Sequence, residues 1–259
     1  MESLSNHIVP VLLVMFRMSG VFAIAPVMTS LAIPMKVRAL LCFMLALCVY
    51  PTLGAPAPIS GDLFTITAAA MMEVFIGFVV GYIGLLPVVA VQLSGTLMSQ
   101  QMGFGLASIY NPALESESDT IGELLTHIAL GTFIMLGGIE TLFACVANTF
   151  ARIPIGGAGI GDAPLSMMVN MVTSGFELAL RVSTPVLAII FVETLASGFV
   201  MKTMPQLNIM SIGFSTKIVL GLLAIIWGLG AMDGAIGDHI VDLGRQLQAW
   251  SEQPRAVVP

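Results

Sequence analysis

The run VFIGFVVGYIGLLPVVAVQLSGTLMSQQMGFGLASIYNPAL, residues 74–114, is the longest stretch of this chain without an Asp, Glu, Lys or Arg. A helix crosses a bilayer core with about 20 apolar residues. A run this long therefore predicts two helical passes, with a bend or break at Pro87 or in the Gln/Ser/Gly section after Val91. The remainder is of the same character. Of 259 residues, 57% are hydrophobic and 9% charged, and the mean hydropathy is +1.00. Soluble domains carry roughly 25% charged residues, and so few charges cannot cover a surface facing water. In lipid, backbone groups must be satisfied internally, by helices or closed barrels. The alternation of barrel strands is absent here, so the fold class is all-α, a membrane-class bundle of long helices.

Outward from that run, the charges divide the chain. Residues 3–16 and 18–35 are apolar around Arg17; Lys36 and Arg38 follow Pro34; residues 39–61 end in the Pro-rich stretch Pro51–Pro58. An acidic segment, Glu115–Glu123, precedes the apolar stretch Leu124–Ala151, which holds only Glu140. The glycine-rich Pro154–Asp162 lacks the Lys-Ser/Thr of a phosphate loop and reads as a flexible connector. Two apolar segments between Pro164 and Met232 join near Lys202–Asn208. A charged tail, Asp233–Pro259, follows, with Asp238, Asp242 and Arg245 at helical spacing, so that its first part reads as amphipathic. Lys36, Arg38, Arg152, Lys202 and Lys217 mark cytoplasmic turns, with Asp62 and residues 115–123 on the other side. The N-terminus lacks a basic n-region and reads as retained.

Several function classes find no support. No Lys/Arg-rich run favours nucleic acid. His7, His127 and His239 are isolated, and Cys42, Cys48 and Cys145 read as small buried hydrophobes, so neither metal nor cofactor is expected. No nucleophile elbow, HExxH or carboxylate pair marks an enzyme.

Six charges interrupt apolar helices: Arg17, Glu73, Glu140, Glu177, Arg181 and Glu193. An acid at a bilayer centre costs about 2.5–3.5 kcal/mol on insertion scales, so such residues face protein or water. Glu73, Gly77 and Gly81 share one helix face, and small residues at that spacing admit a close neighbour. Glu177 and Arg181 stand in the favourable order for a helical ion pair. Packing between helices or subunits is the reading for these charges; a proton or ion relay is the sharper alternative, and nothing ranks one carboxylate above another.

The segment Gln100–Pro112, QQMGFGLASIYNP, resembles the central signature of the FliR family of flagellar export-gate subunits. Further landmarks agree in order and spacing: Arg17 and Gly20; Pro26, Pro34 and Arg38; Glu73, Gly77 and Gly81; Pro205-Gln-Leu-Asn208; and Lys217. The resemblance implies a structural, non-catalytic subunit of the flagellar type III export gate. It would be a multi-pass protein of the bacterial inner membrane, in the flagellar basal body. Its partners would be FliP-like, FliQ-like, FlhB-like and FlhA-like subunits, membrane lipid, and unfolded flagellar substrates in transit. Residues 1–170 would be FliP-like and include the channel loop near 101–119. Residues 171–232 would be a FliQ-like hairpin and 233–259 a polar tail. Pro205, Asn208 and Lys217 would join the packing residues, and the helices would be bent hairpins inside an assembly.

A resting gate must block ions yet open for a chain, and hydrophobic constrictions gate by dewetting. In the loop, Gly103 and Gly105 supply backbone freedom; Phe104, Leu106, Ile109 and Tyr110 supply apolar bulk and Met102 adaptability; Asn111-Pro112 ends it; Glu115, Glu117 and Asp119 face water. An ordinary surface turn is the plainer alternative. For the whole chain, the competing readings are the related injectisome gate subunit and a stand-alone secondary transporter. The transporter would need a midplane site, for which Glu73 and Glu193 are candidates, and ideally two related halves, which the sequence lacks.

Overall fold

The computed structural model describes residues 2–29, 33–53, 63–104, 119–157, 165–204 and 209–252. The described residues form helices and no strand: α1 (Glu2–Ile24), α2 (Met35–Val49) with a short 3-10 turn (Tyr50–Leu53), α3 (Leu63–Met102), α4 (Thr120–Met135), α5 (Gly138–Arg152), α6 (Leu165–Thr203) and α7 (Ile209–Glu252). Five are long and apolar enough to cross a membrane, and α4 with α5, bent by 59° at Gly137, is a candidate sixth span.

Helix α3 rejects one of the two expected break points, Pro87, and keeps the other, the Gln/Ser/Gly section after Val91. It runs unbroken through Pro87 and ends at Gly103. Proline removes one backbone hydrogen bond, but in an apolar surrounding, opening the neighbouring bonds costs far more than losing one. The true stop is Gly103, at φ +90°. Its N–H bonds to the Gln100 carbonyl at 3.1 Å and that of Phe104 to Ser99 at 3.1 Å, the Schellman pattern that glycine closes without strain. Helix α7 corrects two expectations. No tail separates at Asp233: the helix continues to Glu252, burying Ile236, Ile240, Leu243 and Leu247 while Asp238, Asp242 and Arg245 stay exposed. That spacing is an amphipathic stripe. Lys217 lies inside α7 rather than in a turn.

The chain divides into two compact units. The first comprises Met1–Leu86, Ile134–Val172 and Ile240–Pro259. Its core includes Val14, Val21, Ile76, Val80, Ile83, Leu142, Val146 and Phe150. Helices α1 and α3 meet backbone to backbone: a methyl group on Gly77 would overlap the Arg17 carbonyl, and one on Gly20 the Val74 carbonyl. The end of α7 packs on α5, where Arg152 donates to the Trp250 carbonyl at 2.6 Å and stands 5.0 Å over the Trp250 ring. Cys42 and Cys145 are buried here; Cys48 is exposed, contrary to expectation, because α2 is largely uncovered.

The second unit comprises Pro87–Phe133 and Thr173–His239. Val91, Met98, Leu125, Ala129 and Phe133 fill its core, with Val186, Ile190 and Ile225 from the α6–α7 hairpin. Thr132 bonds Asp233 at 2.7 Å. The hairpin leaves Phe191, Val192, Leu195, Phe199 and Trp227 exposed. Apolar exposure on this scale marks a surface meant for lipid or protein.

Candidate functional site

In the second unit the chain leaves α3 for the loop and returns into α4. Of the loop residues singled out, Met102, Gly103 and Phe104 are described; Gly105, Leu106, Ile109, Tyr110, Asn111, Pro112, Glu115 and Glu117 lie outside the described residues. The two stems are fastened to each other. Asp119 accepts the Gly122 N–H at 3.0 Å through Oδ1, which caps α4. Its Oδ2 accepts the Thr96 hydroxyl of α3. One turn on, Gly95 and Gly122 meet so closely that a methyl on Gly95 would overlap the Gly122 backbone, while one on Gly122 would overlap the Asp119 carboxylate. The loop is thus an excursion whose ends are pinned by one carboxylate and two glycines.

Two roles change accordingly. Met102 was expected as an adaptable residue of the loop; it is fully buried, and its side chain would stand 2.7 Å from a methyl placed on Gly221 of α7. It anchors the stem instead. Gly103 stops a helix rather than lending freedom. Phe104, half-buried, is the last described residue before the loop.

In the first unit a second polar arrangement is wholly enclosed. Arg17 and Glu73 are both 0% exposed and form an ion pair at 2.5 Å through Arg17 Nε. Arg17 Nη1 donates to Thr149 at 3.0 Å and Nη2 to the Ile153 carbonyl at 3.1 Å, and the guanidinium lies 4.0 Å from the centre of the Phe150 ring. The remaining Glu73 oxygen accepts the Gly156 N–H at 3.0 Å, with Gly156 in the left-handed region at φ +72°. The clasp joins α1, α3, α5 and the turn after α5. Buried charges are tolerable only when paired and hydrogen-bonded, and here each guanidinium nitrogen and each Glu73 oxygen has a partner. Gly156 therefore has a structural task, where the glycine-rich stretch read as a flexible connector. Gly81 continues the close approach, with a would-be methyl 3.0 Å from the Val21 carbonyl.

The other flagged charges are placed differently. Among the described residues Arg17–Glu73 is the ion pair formed. Glu177 and Arg181 are exposed and do not pair; an exposed helical pair is worth only about 0.3–0.5 kcal/mol. Glu140 is exposed in the first turn of α5. Glu193 is 5% exposed: Oε1 accepts the Ser197 hydroxyl at 2.5 Å and Oε2 has no partner. Lys217 is half-buried; the side chains of Pro205 and Asn208 lie outside the described residues. Sequence reading missed Gly95, Thr96, Gly122, Thr149, Ile153, Gly156 and Gly221 as contributors. The described residues hold no cluster of three His, Cys, Asp or Glu fit for a metal ion.

Long apolar helices, an enclosed charge clasp and a pinned inter-helix loop define a multi-pass helical membrane protein without a recognisable catalytic centre among its described residues. The chain belongs to the bacterial export proteins, family 1, which match it over residues 8–243. It is 28% identical over 229 residues to the flagellar biosynthetic protein FliR of Bacillus subtilis (strain 168), covering 87% of this chain and 88% of that one. To FliR of Escherichia coli (strain K12) it is 24% identical, covering 80% of this chain and 79% of that one. It is likewise 24% identical to the Yop proteins translocation protein T of Yersinia pestis, covering 74% of each.

Proposed function

We propose that this chain is the FliR-type structural subunit of a flagellar type III protein export gate, forming part of the closed channel through which unfolded flagellar proteins cross the inner membrane. The observation that carries this reading is family membership over residues 8–243, reinforced by FliR relatives aligned over most of their length. FliP-like and FliQ-like subunits are its direct partners, with FlhB-like and FlhA-like subunits beside them, in the flagellar basal body. Residues 1–170 serve as the FliP-like part and 171–232 as the FliQ-like hairpin. The chain contributes packing and a channel lining rather than catalysis. The 101–119 loop closes the resting channel, and its pinned stems support that role: a plug must move at its tip while its base stays fixed. The injectisome counterpart is the second reading, favoured by the Yersinia relative.

The test is native mass spectrometry of the chain co-expressed with FliP-like and FliQ-like partners. A mixed complex holding one copy of this chain is expected; recovery of the chain alone or only with itself would refute the proposal. Deleting the gene separates the two systems, because loss of flagellar filaments with other secretion intact marks the flagellar one.

A further inference from the structure

Glu193 lies in the C-terminal third of α6, in a cleft of about 640 Å³ between α6 and α7. Ala188, Ile189, Val192, Ala196 and Leu220 make the walls apolar. Polar character enters only through Glu193, Ser197 and Thr216. The carboxylate is 5% exposed, one oxygen holds the Ser197 hydroxyl, and the other is buried without a hydrogen-bond partner. Among the described residues no cation pairs with it. Arg181 and Lys202 are exposed, Lys217 is half-buried, and none forms an ion pair with Glu193. Glu73 shows how this chain completes a buried carboxylate when the partners are its own: both oxygens are bonded.

We infer that the Glu193 cleft is a socket for a basic side chain carried on an apolar helix of a neighbouring gate subunit. Three observations fix the occupant's chemistry. The unpartnered oxygen calls for a hydrogen-bond donor, and a cation is the donor that best offsets the burial of a carboxylate. The walls call for an apolar stem, which lysine and arginine both have. The face beside the cleft, with Val192 64%, Leu195 51% and Phe199 73% exposed, calls for an apolar helix to cover it. The socket rests on the proposed assembly and names one of its contacts.

The experiment compares wild type with Glu193→Gln and Glu193→Asp, each as the full chain, expressed alone and with FliP-like and FliQ-like partners. Glutamine keeps the shape and the Ser197 contact but removes the charge. Expected for Glu193→Gln is an unchanged yield of the chain alone and a fall of about tenfold or more in complex recovered by native mass spectrometry, corresponding to one lost charge contact. Glu193→Asp is expected to fall in between. Wild-type recovery of the Glu193→Gln complex would overturn the socket. Equal losses alone and with partners would also overturn it, assigning Glu193 to the hairpin itself. Loss of a bound amine-headed lipid from an otherwise intact complex would overturn it in favour of lipid. If wild type forms no complex, the export-gate reading fails first and the socket with it.

Discussion

Helices α3 and α6 have 40 and 39 residues, each predominantly apolar and each holding one buried glutamate. Yet the apolar 18-residue stretch that qualifies each helix as a membrane span is 67% buried within the chain in α3 and 17% in α6. The glutamates follow the same division: Glu73 has a partner for each oxygen, Glu193 for one. Helix α3 completes its contacts inside the chain, whereas α6 leaves apolar surface and a carboxylate oxygen for something outside. Hydrophobicity alone does not distinguish the two, because an apolar side chain is served equally by its own core, a partner or lipid. The buried polar groups do, since their bonds must be found somewhere.

The sharpest way to break this contrast is a charge reversal in each helix. Glu73→Lys places a second cation against Arg17 in an enclosed site. Breaking such a pair costs about 3–5 kcal/mol and adding repulsion costs more. The chain is expected to aggregate on detergent size-exclusion chromatography. Glu177→Lys, on the exposed face of α6, is expected to leave the isolated chain within about 0.5 kcal/mol of wild type. Monodisperse Glu73→Lys protein would dissolve the distinction.

A smaller effect is expected from single methyl groups. Gly77→Ala drives a methyl into the Arg17 carbonyl and is expected to cost about 1–3 kcal/mol, as overpacking does. Gly198→Ala in α6 meets nothing within 4 Å and is expected to stabilise by up to about 1 kcal/mol through helix propensity. Unfolding midpoints of the solubilised chain in denaturant check both signs. Smallest is Asp119→Ala, which removes a cap and the Thr96 bond at a cost of about 1 kcal/mol. Faster amide hydrogen exchange over residues 119–123, with α6 unchanged, is the expected signature.

The sequence showed the helical class through its lack of charge, and Arg17 and Glu73 stood out because each is alone in an apolar run. The Glu73, Gly77 and Gly81 spacing announced a close helix contact. What completes the clasp was not legible: Thr149, Ile153 and Gly156 lie far along the chain, and two of them contribute backbone groups, which any residue carries. Pro87 misled because helix-breaking rules reflect helices whose freed backbone groups can find water. At the end of α7 the spacing of Asp238, Asp242 and Arg245 announced the amphipathic face that buries Ile236, Ile240, Leu243 and Leu247, but not that one helix continues through Asp233 to Glu252. At the loop, the apolar residues were evident, but the pin was not; Asp119 read as one more acid facing water, and its partner Thr96 sits 23 positions earlier.

The most direct test of the channel role is ion leakage through the assembled complex after removal of residues 104–110, measured as proton or potassium flux across membranes containing it. The deletion spares Met102, Gly103 and the Asp119 pin. The expected result is a complex of unchanged composition that is leaky to small ions, while wild type stays tight. A deletion complex that assembles normally and remains as impermeable as wild type would contradict a closing loop.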